Sequence, residues 1–326
     1  MRPDADTLLY LSRADIEACE LGPGETIAAI ERAFAGYAEG KARIGHKGRV
    51  PVGTGHFFQS MPALLDEPPL AGMKWFGVAP DNPARGLPNV CGLILLSDIE
   101  TALPVAVLEG NWMTGARTAA MSAAAAKRLA LPEAARAAFI GCGVQARSHA
   151  VFLRHVLPGL RRAVLFGRGA ASRDAFAAAL HEAGWEVAVA TTPEAALDGA
   201  EIVVSTVPEY AGLKPFLDPA RLAAGTFVAA VDLGRSWLPA APGAFGLVAT
   251  DDAEQSRGLV AEGRLNAPGE FGADLAVLVS GKHGGRRAAD DRIMFVFAGH
   301  ALADVAAAAA VYQVAAARGH GTRLPR

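Results

Sequence analysis

The run Phe139-Ile140-Gly141-Cys142-Gly143-Val144-Gln145-Ala146 constrains this chain more than any other feature. It fits Gly-x-Gly-x-x-Gly/Ala, and it follows an apolar strand-like segment and opens a helical one, the context that gives the pattern meaning. Each position has a physical task. Gly141 permits a tight turn, Gly143 lets the backbone approach a pyrophosphate with no Cβ in the way, and Ala146 allows close helix–strand packing. The helix start at Val144 and Gln145 then offers free N–H groups and the positive end of a helix dipole. The pattern reads as a dinucleotide cradle; a strand-to-helix turn without a ligand is the alternative.

The flanking chain agrees with the cradle. Strands are predicted over residues 137–140, 163–166, 186–190, 202–206, 227–231 and 246–249, with helices over 144–157, 172–183 and 193–198. Such alternation implies a parallel, doubly wound α/β sheet. Upstream, the reading is α+β and mostly antiparallel. Short helices are predicted over 15–17 and 24–40, the second with Ile27, Ile30, Ala33, Phe34 and Tyr37 at helical spacing. Strands are predicted over 49–52, 57–61, 71–78, 90–98 and 104–109, then an alanine-rich helix over 114–129. A last helix over 299–318 leaves the parallel sheet. At 326 residues, two domains are expected.

Composition narrows the function classes. The chain is 52% hydrophobic and 20% charged with a formal net charge of −2, so no global field recruits nucleic acid or an anionic membrane. The first residues, Met1-Arg2-Pro3-Asp4-Ala5-Asp6, do not read as a signal peptide. The apolar run over 301–317 is interrupted by Asp304 and Gln313 and does not read as a membrane span. Cys19, Cys91 and Cys142 are too scattered for a zinc set or a disulfide framework, so they read as small packing residues of a cytoplasmic protein. His46, His56 and His300 lack metal-ligand spacing and read as structural, with no metal expected.

The cofactor is expected to be NADP or NAD. NAD sites usually end the second strand with an acid that holds the ribose 2′-hydroxyl. Here that strand ends Leu165-Phe166-Gly167-Arg168-Gly169. Arg168, helped by Ser172 and Arg173, suits a 2′-phosphate and favours NADP; an ordinary exposed arginine is the alternative. Ser205-Thr206-Val207-Pro208 closes a strong strand, where doubly wound sheets place ligands, so Ser205 and Thr206 are candidates for the nicotinamide side.

Further stretches carry a family resemblance. They are Gly72-Met73-Lys74-Trp75, Asn82-Pro83 with Gly86-Leu87-Pro88, and Gly110-Asn111-Trp112-Met113-Thr114-Gly115-Ala116-Arg117-Thr118-Ala119-Ala120. With the glycine turn, Asp232, Gly299 and Asp304, they make the sequence resemble the ornithine cyclodeaminase/mu-crystallin family over nearly its whole length. The resemblance implies a Rossmann domain (129–300) inserted into a discontinuous α+β domain (1–128 with 301–326) that binds substrate and forms a homodimer. It also implies hydride transfer between a nicotinamide and the α-carbon of a small amino or imino acid.

Within that frame, Arg117 is the expected anchor of the substrate carboxylate, which a guanidinium grips in a two-point fork. Lys74 matches the family's active-site lysine, on a strand where a bare charge is costly; a solvent-facing lysine of an edge strand is the alternative. A second basic substrate residue is expected at Arg49, with Lys47 and Arg43 competing. Asp232 aligns with the catalytic aspartate of the cyclodeaminases, as a proton carrier for the substrate nitrogen. Ala230-Val231 replaces the glycine pair usual before it, a departure that weakens cyclisation more than hydride transfer. The expected activity is therefore imine reduction or amino-acid oxidation. A cyclodeaminase that recycles its NAD, and a non-catalytic NADP-binding protein, are the rivals.

Overall fold

Two eight-stranded sheets organise the protein, described here from a computed structural model of residues 6–210, 212–241 and 243–326. The reading of residues 1–6 as no signal peptide falls mostly on residues 1–5, which lie outside the described residues. The chain begins β1 (Thr7–Leu11), α1 (Arg13–Ala18), α2 (Pro23–Ala38), β2 (Ala42–Ile44), β3 (Gly48–Gly53), β4 (His56–Leu65) and β5 (Leu70–Val78). It continues with β6 (Val90–Asp98), β7 (Pro104–Glu109), α3 (Gly110–Leu129), β8 (Arg136–Ile140), α4 (Val144–Val156), β9 (Arg162–Phe166) and α5 (Ala170–Glu182). Next come β10 (Glu186–Val189), α6 (Pro193–Leu197), β11 (Ile202–Ser205), β12 (Phe227–Ala230), β13 (Leu247–Thr250) and α7 (Ala253–Ala261). The last elements are β14 (Ala273–Asp274), α8 (Leu275–Val279), β15 (Ile293–Val296), α9 (Ala301–Arg318) and β16 (Thr322–Pro325).

The described residues fall into two units. The first runs to Arg117 and resumes at His300–Arg326; the second is Thr118–Gly299. In the first unit the strand order is β16-β1-β7-β6-β5-β4-β2, with β3 also on β4. All of these pairs are antiparallel except β1 with β7. Period-two alternation decides which face is buried. Gln59, Met61, Ala63 and Leu65 of β4 point inward, as do Lys74 of β5 and Ile94 and Leu96 of β6. α9 packs on this sheet and against α2. The helix is long and apolar enough to cross a membrane, yet 61% of it is buried within the protein. It comes so close at Gly72 that a Cβ there would stand 2.9 Å from Val305 and 2.9 Å from Leu96.

In the second unit every strand pair is parallel, in the order β10-β9-β8-β11-β12-β15-β13-β14. The first five of these strands have the 3-2-1-4-5 order of a doubly wound dinucleotide fold. Ile140, Val203, Val228, Ala230, Met294 and Val296 are in its core. The parallel sheet expected from the alternation is present. Its strand β15 was not anticipated, because four apolar residues buried on both faces carry no period to read. α3 also starts four residues earlier than expected. The Glu109 carboxylate accepts from the N–H groups of Asn111 (2.7 Å) and Trp112 (2.9 Å), supplying the cap.

The tight approach of α9 is testable. Gly72→Val is expected to lower unfolding free energy by about 1–3 kcal/mol through overpacking, read from denaturant melts. An unchanged midpoint would contradict the packing described.

Candidate active site

The glycine turn joins β8 to α4. Gly141 has φ 96°, and a Cβ on it would meet Thr206 Oγ1 at 2.6 Å, so this position is closed to any side chain. Gly143 is the N-cap residue of α4 and has open space where a Cβ would be. No side chain caps this helix. The first turn of α4, from Val144, thus presents its N–H groups with no capping side chain at the N-cap, as an anion seat requires. A dinucleotide pyrophosphate fits this cradle. Ser205 and Thr206 lie at the end of the adjacent strand β11, and Thr206 N–H donates to the Ile140 carbonyl at 2.8 Å.

At the end of β9, the Arg168 guanidinium stacks over the Tyr210 ring at 3.9 Å. No carboxylate occupies residues 167–169. Arg173 donates to the Gly167 carbonyl and pairs with Asp174 at 3.4 Å. Arg147 donates to the Ser172 carbonyl, fastening the start of α5.

Asp232 follows β12 and is buried. Its Oδ1 accepts from Ser205 Oγ at 3.0 Å and its Oδ2 from Ser236 Oγ at 2.6 Å. Trp237 Nε1 in turn donates to Ser205 Oγ at 3.0 Å. Leu233, at φ 57°, turns the chain so that Ser236 comes back onto the carboxylate. Burial pushes the Asp232 carboxyl up to about 6, against the pull of both serine hydroxyls.

The first unit holds the second cluster. Lys74 is 2% exposed and lies on the buried face of β5, between Met61 and Ile94, so it is not a solvent-facing lysine. Its Nζ donates to Thr114 Oγ1 at 2.6 Å and stands 3.3 Å from Asp304 Oδ1. Thr114 Oγ1 donates onward to the Gly110 carbonyl. Arg117 Nε lies 2.9 Å from the same Asp304 oxygen. Burial pushes the Lys74 ammonium down to about 8; Asp304 opposes that shift, and the charges of Arg117 and Lys47 add to it.

The three competing basic residues separate. Arg49 pairs across β3 and β4 with Gln59, which pairs with Phe76 on the Lys74 face of β5. Its guanidinium covers Phe57 at 3.7 Å. Lys47 is near enough to act on Lys74 electrostatically. Arg43 instead pairs with Asp66 at 3.1 Å, both exposed.

Two features escaped the sequence reading. Asp304 was noted as a family marker and as a break in an apolar run, not as the partner of Lys74 and Arg117. The signal was there: a carboxylate within an alanine-rich helix must be paired. His149 is buried on α4, with Nδ1 2.7 Å from the Gln145 carbonyl and Nε2 2.9 Å from Ser122 Oγ. That contact ties α4 to α3 just behind the glycine turn. Of the other histidines, His300 accepts from Leu302 N–H as the N-cap of α9 and packs on Phe34. Among the described residues, no three His, Cys, Asp or Glu side chains gather as a metal site.

The model of the ornithine cyclodeaminase/mu-crystallin family matches residues 8–319. The chain belongs to that family. It is 29% identical to the alanine dehydrogenase of Archaeoglobus fulgidus over 97% of this chain and 98% of that one. An archaeal alanine dehydrogenase dimer with bound NAD superposes with a TM-score of 0.88 at 27% identity, covering 98% and 99% of the two chains. The Δ1-pyrroline-2-carboxylate reductase of Thermococcus litoralis, solved with NADH and L-proline, also gives 0.88, at 26% identity over 97% and 100%. The family's relatives thus include amino-acid dehydrogenases and imine reductases, and solved neighbours carry NAD or NADH.

The raised Asp232 carboxyl has a stability consequence. Its folded value near 6 exceeds the usual 3.8, so the fold holds a proton that the unfolded chain releases between about pH 4 and 6. Stability attributable to this group falls as pH rises through that window, and the cost is complete above it. Asn retains an acceptor for one serine and offers a donor to the other. Asp232→Asn is therefore expected to stabilise the protein by roughly 1–3 kcal/mol at pH 8 and by little at pH 4. Melting curves at both pH values check this; a variant less stable at pH 8 would contradict it.

Proposed function

We propose that this family member is a nicotinamide-dependent oxidoreductase that moves a hydride to or from the α-carbon of a small amino or imino acid, with imine reduction as its working direction. The observation that carries the reading is the buried pair of cations, Lys74 and Arg117, sharing one carboxylate oxygen of Asp304. The two cations converge on that oxygen inside a buried sheet–helix layer. A buried charge costs several kcal/mol unless it is well compensated. A substrate carboxylate adds to that compensation, and the Arg117 fork fixes its orientation.

A nicotinamide nucleotide seated on the glycine turn supplies the hydride. We assign the N–H groups of Val144, Gln145 and Ala146, with Gly141 and Gly143, to its pyrophosphate. Ser205 and Thr206 are assigned to the nicotinamide side. Arg168 on Tyr210, with no acid at the end of β9, favours NADP over NAD. Lys74 and Arg117 hold the carboxylate, and Arg49 is the third basic contact. Asp232 is assigned as the proton store for the substrate nitrogen, which must be protonated for the carbon to accept hydride. With one serine hydroxyl on each oxygen, Asp232 suits one proton transfer better than the several that cyclodeamination demands. That arrangement favours a reductase over the family's ammonia-releasing members.

The chain is proposed to act as a homodimer. On the outer face of the first sheet, Phe58 stacks on Trp75 at 5.8 Å. Both are exposed, as are Val50, Val52 and Leu93. Contiguous apolar patches of this kind mark interfaces. A cytoplasmic site of action fits the three free thiols, of which Cys91 is exposed.

The functional reading is tested by incubating the protein with NADPH or NADH and either Δ1-pyrroline-2-carboxylate or pyruvate with ammonia. Nucleotide consumption with amino-acid formation is expected, faster with NADPH. Ammonia release from ornithine or lysine without net nucleotide consumption would establish the cyclodeaminase instead, and nucleotide binding without turnover the inert binder. In the active protein, Arg117→Ala is expected to raise KM for the carboxylate substrate by about 10²-fold or more while nucleotide affinity stays within a few fold. Equal losses of both would contradict the assignment. Trp75→Asp is expected to convert the dimer to a monomer in sedimentation; an unchanged mass would remove this face as the interface.

A further inference from the structure

The helix that closes the first unit brings one carboxylate into the cation pair, and this deserves a function of its own. Asp304 lies in the first turn of α9, where the positive helix end favours a carboxylate. It is fully buried, and a single oxygen, Oδ1, serves both Arg117 Nε at 2.9 Å and Lys74 Nζ at 3.3 Å. The two cations come from different elements, β5 and α3. Their mutual repulsion would drive them apart without an anion between them.

We propose that Asp304 is the positioning residue of the carboxylate site, an internal counterion that holds Lys74 and Arg117 side by side in one orientation. This rests on the carboxylate-binding role proposed above for Lys74 and Arg117.

The groups facing Lys74 from every side are Asp304 on α9, Arg117 and Thr114 on α3, Phe76 on its own strand and Lys47 just before β3. Asp304 is the anion that acts on Lys74. Its charge favours the Lys74 proton, whereas burial, Arg117 and Lys47 oppose it. Removing the Asp304 charge while keeping its shape therefore makes Lys74 lose its proton at lower pH. Carboxylate affinity at mildly alkaline pH falls with it.

The test uses the nucleotide-loaded protein and pyruvate without ammonia, so that binding is read without turnover. Calorimetric Kd values are compared for wild type and Asp304→Asn from pH 6.5 to 9.5. The variant is expected to bind pyruvate about tenfold more weakly at pH 8.5, with the alkaline midpoint of binding about one pH unit lower. Nucleotide affinity should stay within about twofold. An unchanged midpoint would overturn the proposal, because a purely structural aspartate would not move it. Should Asp304→Asn melt too low to assay, the double variant Asp304→Asn/Lys74→Met decides. Removing one cation together with the anion is expected to restore the melting temperature, and a double variant no more stable than Asp304→Asn alone would overturn the proposal. If wild type binds no carboxylate, the functional reading falls, and the melting comparison still settles whether Asp304 acts as the counterion.

Discussion

Two buried cations on one buried carboxylate are the interaction on which the proposed chemistry depends. Charged groups are kept out of protein interiors because desolvation outweighs most of what pairing returns. Lys74 and Arg117 are 2% and 6% exposed, and Asp304 is completely enclosed. An arrangement like that adds little to stability compared with well-packed apolar residues of the same volume. On the proposed reading it serves as the receptor for the substrate carboxylate. The geometry needs both ends of the first unit: β5 and the start of α3 from the N-terminal part of the chain, and α9 from the C-terminal part. A discontinuous unit is therefore a condition of the cluster and not only a topological detail.

On the proposed reading the second unit meets a different requirement, the reception of phosphate by backbone. The uncapped first turn of α4, the left-handed Gly141 and the open space at Gly143 provide it without any charged side chain. His149 and Ser122 brace the helix from behind. Burial pushes the His149 imidazole down to about 4, so it stays neutral across physiological pH and its hydrogen bonds do not switch. The Asp232–Ser205–Ser236–Trp237 network contrasts with this quiet support. A carboxyl displaced to about 6 can change protonation near working pH, which is what a proton store requires.

Much of this was legible in the sequence where a local rule applied. The glycine turn, the parallel alternation after residue 136 and the apolar alternation of β4 and β6 each follow from a period or from a residue with one conformational use. Lys74 was conspicuous because a charge on an apolar strand demands a reason. The elements that escaped are those whose reason lies far away in sequence. β15 reads as any short apolar run until its parallel neighbours β12 and β13 are in place. β16 is wholly exposed and becomes a strand only because β1 offers it an edge. Asp304 stands 230 positions after Lys74 in an alanine-rich helix, so only the fold identifies its partners. The sequence likewise left Arg43, Lys47 and Arg49 in competition. The register across β3, β4 and β5 puts Arg49 on the Lys74 face, and the Asp66 ion pair accounts for Arg43.

The central claim is that the cluster takes up one carboxylate and that Lys74 answers by holding its proton. Proton linkage tests it most directly: calorimetry of carboxylate binding at pH 8.5 in buffers of different ionisation enthalpy. With the Lys74 ammonium pushed down to about 8, the account predicts uptake of a large fraction of one proton per carboxylate bound. That uptake should be absent in Lys74→Met. Binding with no proton uptake, or uptake that survives the loss of Lys74, would contradict it.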